Sequence, residues 1–198
     1  MRKARSPEEY QDILQTSLVQ IERLCNQAVQ LLFLARFDSG KCEWSHEEVD
    51  LTERCREMCN EMMPVAQAKR IVLQSDLREP YIVRGDKELL HTMLLNLLDN
   101  AIKYARPGGK ICLSLVSADQ HAVLNISDTG IGISPEDLPY IFDRFYRADK
   151  SRSSQIPGTG LGLAIVKEIV LSHQGSIQVE SAVNTGTTFT IRLPMKEG

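Results

Sequence analysis

Residues 91–105 read HTMLLNLLDNAIKYA, and the reading of this stretch decides the fold. Leu94, Leu95, Leu97, Leu98 and Ile102 recur as they would on a helix buried over most of its surface. Asn96 and Asn100 interrupt that pattern four residues apart, so they share one face. Two amides pointing the same way inside a core need partners, because an unsatisfied buried polar group is unfavourable. A magnesium ion or a phosphate-bound water would satisfy them. Lys103, a turn beyond Asn100, adds a cation for phosphate, and Tyr104 adds a ring for a base. Paired asparagines also occur as capped surface residues, and the stretch alone leaves both readings open.

Outward from this helix, Asp86 is a capping residue for a helix over residues 87–104. Upstream, a helix is expected over 52–68 and short strands over 70–74 and 81–84. Downstream, residues 109–117 and 121–127 alternate as half-buried strands joined by a hairpin at Ala118-Asp119-Gln120. Residues 131–157 read as irregular, with a short helix after Ser134-Pro135. A further helix over 161–172 and strands over 176–181 and 187–193 close the chain around an Asn184-Thr185-Gly186 turn. The pattern is a mixed sheet with helices on one face.

Three more segments carry chemistry. Asp128-Thr129-Gly130-Ile131-Gly132 follows a strand directly. Its aspartate can accept a charge-assisted hydrogen bond from the amino group of a base, and its glycines permit close backbone approach. A plain turn after a strand is the alternative. Gly158-Thr159-Gly160-Leu161-Gly162-Leu163 opens a helix, where bare N–H groups at the positive dipole end suit phosphate. No Gly-Lys-Ser/Thr follows, so it is not a Walker A loop. A polar loop rather than a strand precedes it, which argues against a dinucleotide fold. Between these segments, Phe142 and Phe145 are expected to anchor a basic, serine-rich stretch containing Arg144, Arg147, Lys150 and Arg152. That stretch has the composition of a lid over a polyphosphate.

The N-terminal segment is different in kind. Ser6-Pro7-Glu8-Glu9 is a helix start. Behind it, Leu14, Leu18, Ile21, Cys25, Ala28, Leu32 and Ala35 form a heptad seam, widened by Leu24, Leu31 and Leu34. The helix should stop near Phe37-Asp38-Ser39-Gly40, with Gly40 as terminator. A stripe this wide suits a helical bundle. Self-association through residues 10–36, or packing on its own chain, would bury it.

Taken in order, these segments resemble the N, G1, F and G2 boxes of the bacterial sensor histidine kinase ATP-binding domain. Gly186-Thr187-Thr188-Phe189-Thr190 resembles an element of that family's last hairpin. Residues 6–37 resemble the second helix of its dimerisation and histidine-phosphotransfer domain, in wording closest to heavy-metal-type sensor kinases, and Asp38–Gly40 resembles the junction that follows it. The resemblance implies an α+β chain: a bundle helix in a partial dimerisation domain (1–40), then a two-layer α/β sandwich (41–198) of the histidine-kinase, gyrase and chaperone ATPase type. It implies ATP and Mg2+ as ligands. Asn96 and Asn100 would lie on the nucleotide, with Asn100 orienting magnesium; Lys103 and Arg147 would reach phosphate, and Tyr104 would flank the adenine. Asp128 would take the adenine amino group, and Thr187 or Thr188 would reach the same side of the base through water. Gly130, Gly132, Gly158, Gly160 and Gly162, with Thr159 and Leu161, would shape the pocket and lid hinge.

The resemblance also has gaps. The family's phosphoacceptor histidine lies in a box on the preceding helix, and none of His46, His91, His121 and His173 fits that box. His173, near a helix C-terminus, is expected to favour the dipole. The chain is therefore expected to bind Mg-ATP without labelling itself, as an excised fragment or a truncated product. Its partners would be a histidine-bearing dimerisation helix and a response regulator receiver domain. In gyrase-like and chaperone ATPases a glutamate four residues before the magnesium asparagine activates water. Asn96 stands there instead, so efficient hydrolysis is not expected. An anti-sigma-type serine kinase, or an inactive nucleotide-binding module, is the alternative reading.

Composition sets the remaining bounds. The 198 residues carry net charge −3, with 42% hydrophobic and 25% charged side chains, as in an ordinary globular protein. A pI near 5.8 argues against a general nucleic-acid binder. The longest apolar run, residues 31–35, is far short of the roughly 20 needed to span a bilayer. A cytoplasmic location is expected, with any membrane attachment through a preceding segment. Five cysteines without a CxxC pair read as reduced thiols; Cys55 and Cys59, on one helical face, are either small buried side chains or half of a metal site with His46.

Overall fold

The computed structural model describes residues 6–39, 44–148 and 158–196. The chain divides into two compact units, Met1–Lys41 and Cys42–Gly198. In the first, the described residues form helix α1 (Pro7–Asp38). The Ser6 carbonyl accepts the Tyr10 N–H at 3.1 Å, so Ser6 sits at the start and Pro7 takes the first helical position, where its missing N–H is harmless. The expected terminator, Gly40, lies outside the described residues. Leu14, Leu18, Ile21, Leu24 and Leu32 are each more than half exposed, whereas Leu34 is buried.

The second unit runs β1 (Glu47–Asp50), α2 (Leu51–Ala68), β2 (Val72–Asp76), β3 (Ile82–Gly85), α3 (Lys87–Tyr104), β4 (Lys110–Ala118) and β5 (His121–Asp128). A 3-10 turn (Leu138–Tyr140), α4 (Gly162–Ser172), β6 (Ser176–Ala182) and β7 (Gly186–Pro194) complete it. Five strands form one sheet in the order β2-β4-β5-β7-β6. β2 is parallel to β4, and every other neighbouring pair is antiparallel, so the sheet is mixed as expected. Ile111, Leu113, Leu115, Leu124, Ile126, Phe189, Ile191 and Leu193 are buried on its inner face. Helices α2, α3 and α4 lie against β2, β5 and β6.

Two features depart from the sequence reading. The strand at residues 81–84 does not join the main sheet: β3 pairs antiparallel with β1, a strand the hydrophobic pattern does not announce. Leu95 is only half-buried, while Leu90, Met93, Leu94, Leu97, Leu98 and Ile102 of α3 are closed off from solvent. Each such side chain contributes about 1.5–3 kcal/mol relative to exposure, which is why α3 forms the spine of this unit. Its start is fixed by Asp86, whose Oδ1 accepts the N–H groups of Glu88 and Leu89, both at 3.0 Å. The β4–β5 hairpin turns through Asp119 (φ 49°) and Gln120 (φ 60°), the two positive angles that suit the strand twist.

Candidate functional site

One row of register partners crosses all five strands of the sheet: Leu73, Ile111, Asp128, Thr187 and Ser181. Residues opposed across a sheet share a face, and here it is the helix-covered face. The next row inward, Leu113, Ile126, Phe189 and Val179, is apolar. The polar part of the first row, Asp128, Thr187 and Ser181, thus closes one end of the core. Thr187 is buried within it. Burial pushes the Asp128 carboxyl above its usual range, and the backbone N–H groups of Gly130 and Thr187 pull it partly back. The Gly130 N–H donates to Asp128 Oδ1 at 2.7 Å. Thr188, the other candidate of its pair, points to the opposite face, opposed by Ser127 and Glu180. It does not share Asp128's surroundings.

The segment after Asp128 is fastened from several sides. The Thr129 N–H donates to Lys110 O (3.0 Å), and the Ile131 N–H donates to Tyr104 O (3.1 Å) at the end of α3. The Ile131 carbonyl accepts the Asn184 N–H at 2.7 Å, and Arg106 donates to the Asn184 side chain. At Gly132 the backbone is left-handed (φ 69°), and a Cβ would sit 2.0 Å from the Ala182 carbonyl oxygen. Only glycine meets both conditions.

On α3, Asn96 and Asn100 are half-buried one turn apart. The Asn96 Nδ2 donates to Thr92 O at 2.8 Å. Its Oδ1 is where α4 begins: a Cβ on Gly162 would come within 2.7 Å of it. The two helices that carry the candidate ligands therefore meet at this asparagine. Lys103 pairs with Asp99 one turn back, and Tyr104 is partly exposed at the helix end.

The glycine segment leads into α4 through Thr159, whose Oγ1 accepts the Leu161 N–H at 3.2 Å. Leu161, buried at the N-cap position, makes no side-chain capping bond. The first N–H groups of α4 are thus not capped from that position, which suits an anion. Opposite, the Phe145 N–H donates to Gly160 O (2.9 Å) and Arg147 donates to Gly158 O (3.0 Å). These contacts clasp the two ends of the intervening stretch. Lys150 and residues 151–155 lie outside the described residues. Phe142 anchors as expected, edge-on to Phe189 with centroids 6.5 Å apart. Phe145 does not: it is 58% exposed with φ 65°.

His173 and the cysteines have settled roles. His173 is buried; its Nδ1 lies 2.8 Å from Ile169 O and its Nε2 accepts the Asp86 N–H at 3.0 Å. An accepting Nε2 makes the ring neutral, and burial holds its pKa below the ordinary imidazole value. The expectation of a cation complementing the helix dipole is corrected: His173 is a neutral link from the end of α4 to the cap of α3. Cys55 and Cys59 are buried on α2. Burial pushes both thiols up, Cys59 to about 11, as for small buried side chains. Among the described residues, no three His, Cys, Asp or Glu side chains gather as metal ligands. Among the same residues, no helix is long and apolar enough to cross a membrane.

Sequence reasoning missed two members of this neighbourhood. Asp99 reads as one more helix residue, though its spacing from Lys103 announces an i, i+4 pair. Ser181 stands at the expected end of its strand. The signal was its period: Ile177, Val179 and Ser181 occupy alternate, inward positions of β6, so the serine falls where a third apolar residue belongs.

The fold and site define a two-layer domain with an acceptor row at one end of the sheet and a glycine-opened helix beside it. Residues 85–197 match the family described as histidine kinase-, DNA gyrase B-, and HSP90-like ATPase. The chain is 37% identical over 188 residues to the sensor histidine kinase RppB of a Synechocystis strain, covering 94% of this chain and 41% of RppB. The solved structure of the mycobacterial sensor histidine kinase MprB superposes with TM-score 0.66 at 37% identity, covering 77% of this chain and 99% of that one. Full-length ShkA, solved in complex with AMPPNP, superposes with TM-score 0.82 at 25% identity, covering 99% of this chain and 41% of ShkA. The chain belongs to the histidine kinase-, gyrase B- and HSP90-like ATPase family, and its relatives within it are sensor histidine kinases. It spans about two fifths of the length of the curated relatives it matches.

Proposed function

We propose that this chain is the Mg-ATP-binding catalytic part of a sensor histidine kinase. The observation that carries the reading is that α3 touches both other elements: Gly162 of α4 abuts its Asn96, and the segment after Asp128 is tied to its end at Tyr104. Asp128 and Thr187 lie at the polar end of the sheet, Asn96 and Asn100 lie on α3, and Gly162 of α4 abuts Asn96. Asp128 accepts the amino group of adenine, Thr187 reaches the same side through water, and Tyr104 flanks the ring. The segments of Gly130 and Gly132, and of Gly158, Thr159, Gly160, Leu161 and Gly162, line the pocket and lid. Lys103 and Arg147 lie toward the phosphates. A magnesium ion is commonly held by one or two protein oxygens plus substrate phosphates and water. The amide oxygen of Asn100 fits that donor set for a metal that arrives with the nucleotide.

When bound, Mg-ATP supplies the transferable γ-phosphoryl group. The residues here position it, and positioning supplies most of the catalysis in phosphoryl transfer. The acceptor is a histidine on a dimerisation helix, and the phosphoryl group passes on to a response regulator receiver domain. The exposed stripe of α1 supports self-association through residues 10–36, on the cytoplasmic side of a longer, membrane-anchored sensor. None of His46, His91, His121 and His173 serves as the acceptor. His173 has both ring nitrogens engaged in structural hydrogen bonds. An anti-sigma-type serine kinase would share the pocket, but would leave the stripe of α1 unexplained.

Calorimetric titration with ATP, with and without magnesium, tests the site. Asn100→Ala should abolish the magnesium-dependent part of the affinity; equal wild-type affinity with and without the metal overturns that role. Incubation with γ-labelled Mg-ATP should leave this chain without acid-labile label, and an added acceptor bundle should become labelled. Label on one of the four histidines would overturn transfer in trans. Sedimentation should show dimers or larger species, and a monomer at tens of micromolar would remove the role of the α1 stripe.

A further inference from the structure

Ser181 stands at the end of the polar row, and its hydroxyl oxygen has three close partners. It accepts the Ile133 N–H at 2.8 Å, donates to the Gly186 carbonyl at 2.9 Å, and lies 2.9 Å from Thr187 Oγ1. A serine hydroxyl carries one proton and two lone pairs. The Ile133 N–H can only donate, and the Gly186 carbonyl can only accept. The single Ser181 proton therefore goes to Gly186, since otherwise two oxygens would face each other with lone pairs alone. The remaining lone pair of Ser181 must then receive the Thr187 proton. All three contacts are satisfied in this one arrangement.

The consequence falls on Thr187. With its proton turned toward Ser181, its oxygen keeps lone pairs only. Asp128 is its neighbour in the row, and the Asp128 carboxylate also only accepts. We propose that Ser181 is a positioning residue that fixes the direction of the Thr187 hydroxyl, making this end of the sheet an all-acceptor edge that selects a purine carrying an amino group at C6. The inference rests on the nucleotide reading above. With Thr187 and Asp128 both accepting, the bridging water gives its two protons to them and turns a lone pair to the base. Without Ser181 the Thr187 hydroxyl can rotate and donate to that water, which frees a water proton for a 6-oxo purine.

The test compares the binding of ATP, inosine triphosphate and the triphosphate of unsubstituted purine riboside, each with magnesium, to the full chain. Ser181→Ala should shrink the preference for ATP over inosine triphosphate by about tenfold, the scale of one hydrogen bond. The affinity for the unsubstituted purine, which offers neither group at C6, should change by much less. Ser181→Thr, which keeps the hydroxyl, should retain the wild-type preference. Thr187→Val removes the hydroxyl that Ser181 orients and should reduce the preference in the same way. Adding Ser181→Ala to it should reduce the preference little further, because the two act as one unit. A Ser181→Ala variant that weakens all three nucleotides by one common factor has lost only scaffold, and the proposal fails. So does an unchanged ATP-to-inosine ratio. If wild type prefers ATP and only the variants disagree, the nucleotide reading survives. If wild type binds none of the three, both fall.

Discussion

The proposed base end and the proposed phosphate end of the site are built on opposite plans. At the base end, Asp128, Thr187 and Ser181 are register partners in a sheet, and the following loop is tied to α3, β4 and the β6–β7 hairpin. At the phosphate end, the described residues come from irregular chain on either side of a long connection, clasped at Phe145–Gly160 and Arg147–Gly158. A planar base is recognised by a fixed pattern of donors and acceptors, which a sheet holds well. A polyphosphate is flexible, and it suits backbone N–H groups at a helix start with cationic side chains nearby. On the proposed reading, selectivity and transfer are separable, one carried by rigid strand register and the other by loop and helix end.

The largest effect that would sharpen this contrast is expected for Asp128→Asn. Loss of the charge-assisted bond to the base should weaken ATP binding by about 1.5–3 kcal/mol, on the order of ten- to a hundredfold by calorimetry. The same substitution should not lower the melting temperature of the nucleotide-free protein, because burial disfavours the Asp128 charge. A marked loss of stability would mean that Asp128 is structural instead.

Glycine-to-alanine changes at the two ends should then differ. Gly132→Ala places a Cβ against the Ala182 carbonyl at a left-handed φ and should destabilise the fold by about 1–3 kcal/mol in denaturant titration. Gly158→Ala meets nothing within 4 Å and should stay within about 0.5 kcal/mol. Equal effects would break the contrast.

A smaller effect, dependent on pH, is expected at His173, which links the far ends of α3 and α4. Its folded pKa is lowered, so the unfolded chain takes up the proton first. Stability should be complete above the ordinary imidazole value of about 6.5 and fall as the pH drops below it, levelling off below the folded pKa. His173→Gln should flatten that acid limb in urea titrations at several pH values. An unchanged slope would exclude this histidine as its source.

Much of this architecture was legible because it rests on local chemistry. The limits of α3 follow from the Asp86 cap and the leucine spacing, and the hairpin at residues 119–120 follows from alternation on both sides. The candidate residues Asn96, Asn100, Asp128 and the glycines stand in short motifs whose residue types state their chemistry. What stayed hidden depended on distant partners. β1 reads EEVD and has no apolar period; it is a strand because β3 pairs with it, and β3 is held on its other side by residues 195–196.

The choice between Thr187 and Thr188 was undecidable from adjacent identical letters, since their sides of the sheet follow from the strand register. Phe145 looked like an anchor by composition, but the clasp to Gly160 holds its backbone left-handed and leaves its ring exposed. Helix limits, the residue types of each box and the heptad character of α1 are written in local sequence, because these depend on neighbours within a turn or two. That Ser181 meets Ile133 and Thr187 and that His173 stays neutral come from the tertiary structure. Each depends on hydrogen bonds between groups tens of residues apart in the chain.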